Sequence, residues 1–326
     1  MFALIDNFSR TEPHFNLALE EYAALHLSNE QGYCLFYANS PSVIVGKNQN
    51  VFEEINLSLA EQKKIDIKRR ISGGGAVYHD EGNLNFSFLT PYNPKDIGNW
   101  KKFAEPVITA LNKLGYPAEL NYRNDIVLGE FKISGTAQYS GKNLMISHGT
   151  LLLDADLKAL SGVLTQNSGK IISKSLKSHR SKVLNLNDFA KQNQLKVRST
   201  NELRNELVEL ICGKNPEVIR FSDSQLHEIE KLAREKYCSY EWNIAYSPDF
   251  SCEKDFSFQN QTFRYRMRVL RGAKIESIFF EQENQFEHLF KRCEGVILKK
   301  NALSHALNDC ESALKNALIE SLLSFA

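Results

Sequence analysis

The 326-residue sequence predicts an α/β (α+β) chain divided into two domains, and three observations carry this expectation. Short apolar runs of strand character, at residues 2–5, 34–37, 43–45, 67–71 and 84–88, are interleaved with helix-periodic stretches at 13–27, 58–64 and 100–114. The length suggests two domains, and 42% hydrophobic residues suffice for at least one sizeable core. Beyond residue 251 the pattern restarts, with a long alternating strand, a second strand and then helices.

In the first half, Pro13 suits an opening helical turn, and Phe15, Ala18, Tyr22 and Leu25 recur at helical spacing to form a core stripe. Asn39, Ser40 and Pro41 supply turn chemistry between 34–37 and 43–45, so these two runs are expected to form a hairpin. Ser58 with Glu61 has the spacing of a capping box at the start of a helix ending near Lys64. Residues 100–114 carry a stripe of Phe103, Val107, Leu111 and Leu114, terminated by Gly115 and Pro117.

Composition narrows the function. A formal net charge of +1 gives no global attraction to nucleic acid or membrane, so a basic surface has to be local. No apolar run approaches the length of a membrane span, and the start MFALIDNFSR lacks the layout of an export signal. A cytoplasmic protein is expected. The cysteines at 34, 212, 238, 252, 293 and 310 form no C-x-x-C pair, so neither zinc nor a redox dithiol is indicated, and they read as buried or inert free thiols.

Chemistry concentrates first in residues 69–88, RRISGGGAVYHDEGNLNFSF. Three consecutive glycines each cost roughly 0.5–1 kcal/mol in a regular element, so Gly73, Gly74 and Gly75 imply positive φ or bare backbone N–H groups. An anion is the usual guest. Arg69 and Arg70 bring charge, and Asn83 and Asn85 alternate with Leu84, Phe86 and Phe88 on a strand whose polar face can line a site. A plain turn with a solvated arginine pair is the alternative. Tyr78 stands where a dinucleotide fingerprint needs glycine, and residues 135–142 miss the spacing and the Ser/Thr of a Walker loop. His79 and Asp80, adjacent and without a third ligand, make a weak metal site.

The second centre is residues 124–137, NDIVLGEFKISGTA. Asp125 precedes an apolar run, Gly129 and Glu130 turn it, and Lys132 returns just before Ser134 and Gly135, small residues that let a ligand approach backbone. Asp125 is either a turn former or an organiser of Lys132 or of a metal. His148, in HGTLLL, either positions a substrate or is a satisfied histidine at a strand start.

These two segments, with VIVGKNQN at 43–50, HGTLLL at 148–153, PHFNLALEEY near the start and SKSLKSHRSKVLNL at 173–186, resemble the lipoate–protein ligase family over most of residues 1–250. Lys47, His179, Ala245 and Tyr246 depart from the family pattern. The resemblance implies a biotin/lipoate ligase-like catalytic core, a mixed sheet flanked by helices, in residues 1–250, and a small α+β accessory domain in 251–326 that swings between states. It implies that ATP activates lipoate to lipoyl-AMP and that the lipoyl group passes to a lysine of an apo-lipoyl domain. Acceptors would be the 2-oxoacid dehydrogenase acyltransferase subunits, the glycine-cleavage H protein, or both. By correspondence Lys132 is catalytic, touching the nucleotide phosphate and the lipoyl carboxylate. Arg70, Gly73, Gly74, Gly75, Ala76, Val77, Tyr78, Asn83, Asp125, Ser134, Gly135 and His148 would bind ATP and the adenylate, with Asp125 as the Mg²⁺ ligand.

A lysine suits this chemistry because two anions must approach while charge builds on phosphoryl oxygens, and lysine is cationic at neutral pH. Transfer from an activated anhydride needs alignment and exclusion of water rather than an enzyme nucleophile. Val43, Val45, Val77 and Phe86 are candidate walls for the acyl tail. At about 0.8 kcal/mol per buried CH₂ the tail contributes modestly, so octanoate is expected to be a poorer but real substrate. The alternatives are a biotin ligase, an octanoyl or lipoyl transferase with or without a cysteine thioester, and a non-catalytic acyl-adenylate-binding module. None of the cysteines falls within residues 69–154, which counts against the thioester route.

Residues 156–164 read as a helix. The following segment, with Lys170, Lys174, Lys177, Arg180 and Lys182, is either a solvated loop or one that orders over the adenylate or an acidic carrier. No aromatics interleave with these cations, so nucleic acid is not an expected partner. Helices are expected at 200–212, 222–237, 285–293 and 302–323. Phe263, Tyr265, Met267 and Val269 alternate with Arg264, Arg266 and Arg268, a half-buried strand turning at Gly272 into 274–280, with its arginine face solvated. A monomer is expected.

Overall fold

The computed structural model describes residues 2–141, 143–164, 171–178 and 181–325. The chain forms two compact units, one of Met1–Lys47, Ile65–Leu160 and Ser178–Ser239, the other of Asn48–Lys64, Ser161–Lys177 and Tyr240–Ala326. The second unit is thus gathered from three separate stretches.

The first unit is built on a six-stranded mixed sheet in the order Thr136–Ser140, Leu144–Leu152, Asn83–Pro91, Tyr33–Ala38, Ala3–Ile5 and Val218–Ile219. Ala3–Ile5 pairs in parallel with both its neighbours, and the other pairs are antiparallel. On one face Phe36, Leu84, Phe86 and Phe88 pack with Phe103, Val107 and Leu111 of helix Trp100–Lys113 and with Leu203 and Leu207 of helix Thr200–Cys212. The central strand Asn83–Pro91 is buried from Asn83 to Thr90, so the polar face formed by Asn83, Asn85 and Ser87 is also covered. Cys34 and Cys212 meet in this core with Sγ atoms 2.8 Å apart. Their pairing and burial push the Cys34 thiol far up, while the same hydrogen bond draws Cys212 down.

Several local expectations are corrected. The hairpin between 34–37 and 43–45 does not form: Ser42–Val45 leaves the main sheet and pairs in parallel with Asp66–Arg69 and antiparallel with Val77–His79. The turn between them is diverted by Asn39, whose amide is held by Asn16 Nδ2 at 2.9 Å, so Ser42 starts on another sheet. Helix Leu57–Gln62 is capped by Asn56, which accepts from Leu59 N at 3.0 Å, in place of the Ser58 box. Capping boxes occur instead at Ser199 with Glu202 and at Ser222 with Gln225.

The second unit contains a four-stranded sheet, Ile171–Ser173, Phe250–Phe258, Gln261–Leu270 and Lys274–Phe280. As the alternation predicts, Tyr265, Met267 and Val269 are buried while Arg264, Arg266 and Arg268 face solvent. Each arginine has a carboxylate across the sheet: Asp255 at 3.0 Å, Glu253 at 2.8 Å and Glu276 at 2.6 Å, respectively. The single helix expected over 302–323 is two, Lys300–Ala306 and Ser312–Leu323. Arg292 explains the break, because it donates to the terminal carbonyl of Ala306 at 2.7 Å and pairs with Asp309 in the gap.

Candidate active site

The glycine segment links Asp66–Arg69 to Val77–His79 across the end of Ser42–Val45. Two backbone bonds tie it down, Arg70 N to Val45 O at 3.0 Å and Lys47 N to Ser72 O at 2.8 Å. Gly74 needs its missing side chain twice over: its φ is +92°, and an added Cβ would lie 2.9 Å from Arg70 Nη2. A Cβ on Gly73 would meet nothing within 4 Å, so that position opens onto free space. Ala76 N–H donates to Ser178 Oγ at 2.9 Å, and the same hydroxyl lies beside Gly75.

Arg70 is buried beneath this loop, and its guanidinium donates to the loop itself: Nη2 to Gly73 O (2.6 Å) and Gly75 O (2.8 Å), Nη1 to Ile44 O (3.0 Å), Nε to Ser72 Oγ (2.9 Å). Burial lowers its pKa to about 10, still well above neutrality. The chain of contacts continues inward. Ser72 Oγ lies 2.7 Å from His148 Nε2, and His148 Nδ1 lies 3.0 Å from both oxygens of buried Glu20. Ser72 Oγ thus stands between Arg70 Nε and His148 Nε2, and the His148 ring stands between Ser72 and Glu20. His148 sits inside strand Leu144–Leu152, not at its start, opposite Ala137 and Ser87.

A second buried polar row runs beside it. Asn16 donates to Asn39, and Asn39 Nδ2 contacts His79 Nδ1 at 3.0 Å. Desolvation, with Arg70 and His148 nearby, pushes His79 down to about 3, so the ring is neutral at physiological pH. Its Nε2, Asn83 Oδ1 and Ser87 Oγ are buried without a protein partner. Asn83 Nδ2 donates to Asn85, and Asn85 to Tyr37 O. Tyr78 is buried on Val77–His79, and desolvation followed by Asp80 pushes its hydroxyl up to about 12. Asp80 accepts from the Gly82 and Asp156 N–H groups through its two carboxylate oxygens.

Lys132 lies on strand Phe131–Ser134, paired on one side with Ile126–Leu128 across a turn at Gly129 and on the other bonded through its backbone to Lys182 and Leu184. Its Nζ is 2.8 Å from Asp125 Oδ1, with the lysine side chain 25% and the aspartate 13% exposed. A Cβ on Gly135 would lie 3.2 Å from that Nζ, so the glycine leaves the ammonium uncovered. Ser134 is buried, its Oγ 3.4 Å from Gly135 O. Two residues further on, Ala137 Cβ comes within 3.8 Å of a Cβ position on Gly74. The lysine segment and the glycine loop, about sixty residues apart in sequence by the separation of Gly74 and Ala137, therefore meet. Val43, Val45 and Phe86 are fully buried in the sheets and Val77 is half-buried.

The sequence reasoning missed Glu20, Ser72, Asn16 and Asn39. A signal was present in PHFNLALEEY, where Asn16 and Glu20 stand four apart on the helix and both are buried. In the second unit, buried Glu53 holds part of the basic segment: Ser173 Oγ and Ser175 Oγ donate to its Oε2 at 2.6 and 2.8 Å, and Lys177 Nζ is 2.9 Å from Oε1. Lys170, His179 and Arg180 lie outside the described residues, as does Lys142.

The family model described as the lipoyl protein ligase A/B catalytic domain matches residues 12–209. Lipoate–protein ligase 1 of Staphylococcus aureus is 43% identical over 281 residues, covering 85% of this chain and 84% of that protein. A crystal structure of a lipoate–protein ligase A bound with ATP superposes with a TM-score of 0.62 at 28% identity, over 74% of this chain and 98% of the other. The bi-partite lipoate protein ligase of Thermoplasma acidophilum, studied with its E2 lipoyl domain, gives the same TM-score and identity over 74% of this chain and 95% of its own. Accordingly the chain belongs to the lipoate–protein ligase family and is an enzyme of ATP-dependent protein lipoylation, with ATP and lipoate as substrates.

Proposed function

We propose that Lys132 bridges the two anions of the first half-reaction, and that its 2.8 Å contact with Asp125 beside Gly135 is the observation that carries this role. A lipoate carboxylate oxygen attacks the α-phosphorus, and the bond from that phosphorus to pyrophosphate breaks. Negative charge then grows where a partly exposed ammonium can leave one carboxylate for two incoming oxygens. In the second half-reaction the acceptor amine attacks the acyl carbon, the carbon–oxygen bond of the anhydride breaks, and AMP departs.

Around Lys132 we assign Gly73, Gly74, Gly75, Ala76, Val77, Tyr78, Asn83, Ser134, Gly135 and His148 to the adenylate site. The Ala76 N–H now rests on a serine hydroxyl that a ligand oxygen can replace. Arg70 serves by holding the loop carbonyls inward, which leaves the loop N–H groups for the ligand.

Mg²⁺ belongs to the same proposal. Among the described residues no group of three or more His, Cys, Asp or Glu side chains is gathered to hold a metal. Mg²⁺ on a triphosphate needs only one or two protein carboxylates beside phosphate and water oxygens, and Asp125 fits that need. When bound, the ion neutralises phosphate charge.

The acceptors we infer are apo-lipoyl domains of 2-oxoacid dehydrogenase acyltransferase subunits, the glycine-cleavage H protein, or both. The catalytic domain is assigned to residues 1–250 and the accessory domain to 251–326. Six free cysteines support a reducing, cytoplasmic setting. Among the described residues no helix is long and apolar enough to cross a membrane. We assign a monomer.

Lipoate-dependent exchange of labelled pyrophosphate into ATP tests the first half-reaction, and lipoylation of a purified apo-domain, read by mass, tests the second. Tight binding of lipoyl-AMP without exchange would replace this reading with a non-catalytic adenylate-binding module.

A further inference from the structure

The turn that precedes Asp125 carries the most exposed large hydrophobic side chain among the described residues, Tyr122, at 85%. The neighbouring Arg123 stacks on its ring, 5.2 Å from the centroid. A tyrosine and an arginine held together in solvent are the residue types that dominate binding energy at protein interfaces. The backbone beneath them is tied firmly. Asn121 Oδ1 accepts from Arg123 N at 2.8 Å and Asp125 N at 3.0 Å, Asn124 N donates to Asn121 O at 3.0 Å, and Thr136 Oγ1 donates to Asn124 O at 2.8 Å.

A second projection stands beside the first. Gln138, two residues along the same strand and on the same face as Thr136, binds Asp96 O at 3.1 Å and Gly98 N at 2.8 Å, with exposed Ile97 between them. Two strand residues span about 7 Å, so the two tips are neighbours. Lys95 and Lys101 beside Ile97 are exposed and give this rim positive charge, and Asp96 is paired with Lys102 at 2.6 Å.

We propose that Tyr122 and Arg123, with Ile97 beside them, form the docking surface for the lysine-bearing acceptor domain, and that the face of that domain around its lysine is acidic. The inference rests on the assignment of Lys132 and Asp125 to the adenylate site. Tyr122 and Asp125 are three positions apart in sequence, at most about 11 Å of extended backbone. A partner that delivers an amine to this site covers a disc of roughly 16 Å radius, from about 800 Å² per side in a standard interface. Tyr122 therefore lies within the footprint that such an acceptor can cover. A small nucleophile would not touch it.

The test uses the full chain with the double substitution Tyr122→Ala and Arg123→Glu. Three quantities are measured: pyrophosphate exchange, capture of lipoyl-AMP by hydroxylamine, and steady-state transfer to a purified apo-lipoyl domain from a 2-oxoacid dehydrogenase. The expected result is a KM for the domain raised about tenfold or more, the scale of a hot-spot loss, with exchange and hydroxylamine capture unchanged. Tyr122→Ser alone should give a smaller rise in the same constant. A KM within about twofold of the parent, on a scale where most interface residues sit, would overturn the docking role. So would an equal fall in transfer and hydroxylamine capture, which would mean that the turn acts on site geometry. A parent protein without exchange would instead bring down the site assignment, and the docking inference with it.

Discussion

The two halves of the candidate site are built on opposite principles. Beneath the glycine loop, Arg70, Ser72 and Glu20 are buried and His148 is half-buried, and they are bonded to one another or to the loop's carbonyls. Lys132 and Asp125 are part-exposed and form a one-to-one ion pair beside a glycine. A cation with several fixed protein acceptors cannot release them cheaply, whereas one with a single carboxylate can exchange it for a substrate anion. On the proposed assignment, the difference separates a scaffold from a participant.

Substitutions can break that contrast. Lys132→Ala is expected to lower lipoate-dependent exchange by about 100- to 1,000-fold, the scale of removing one preorganised donor, with the melting temperature nearly unchanged. Equal losses of activity and stability would make Lys132 scaffold too. Arg70→Met should behave in the opposite way, destabilising the fold by about 3 kcal/mol in urea titration, because it strands Glu20 and the loop carbonyls without their cation.

His79 sharpens the comparison through pH. Its folded pKa, about 3, lies below the ordinary 6.5, so the unfolded chain takes up a proton that the folded chain refuses. Its stabilising share is fully present above pH 6.5 and is lost as pH falls toward 3, at up to about 1.4 kcal/mol per pH unit. Urea midpoints at pH 7 and pH 5 should show the fall, and His79→Gln should flatten it.

The smallest effects distinguish adjacent glycines. Gly74→Ala is expected to cost about 1–2 kcal/mol because its φ is positive and Arg70 is close. Gly73→Ala should leave stability within about 0.5 kcal/mol, since its Cβ would enter open space. Reduced ATP affinity in Gly73→Ala without a stability change would mark that space as ligand volume, and unchanged affinity would exclude it.

Much of this was legible in the sequence wherever a signal was local. Helix Thr200–Cys212 and strand Lys274–Phe280 match the periodicity, and the glycine triplet marks its loop. Lys132 stands out as a candidate because Ser134 and Gly135 follow it and because its KISGTA string resembles a family motif. Failures arose where a distant partner decides. Ser42–Val45 looks like half of a hairpin until Asn16 holds Asn39 from another helix. Glu20 looks like a solvated helix residue until His148, far along the chain, covers it. The break between Lys300–Ala306 and Ser312–Leu323 depends on Arg292, which helical periodicity cannot register.

The arginine strand of the second unit shows how composition can mislead about long-range behaviour. Arg264, Arg266 and Arg268 read as a cationic ribbon, yet each arrives with its counter-charge on the adjoining strand. At separations beyond a Debye length of about 8 Å such a ribbon is a row of short dipoles whose field has largely cancelled. Passing the protein over a heparin or phosphocellulose resin should therefore reveal little retention from this face, and neutralising all three arginines together with Asp255, Glu253 and Glu276 should shift elution hardly at all.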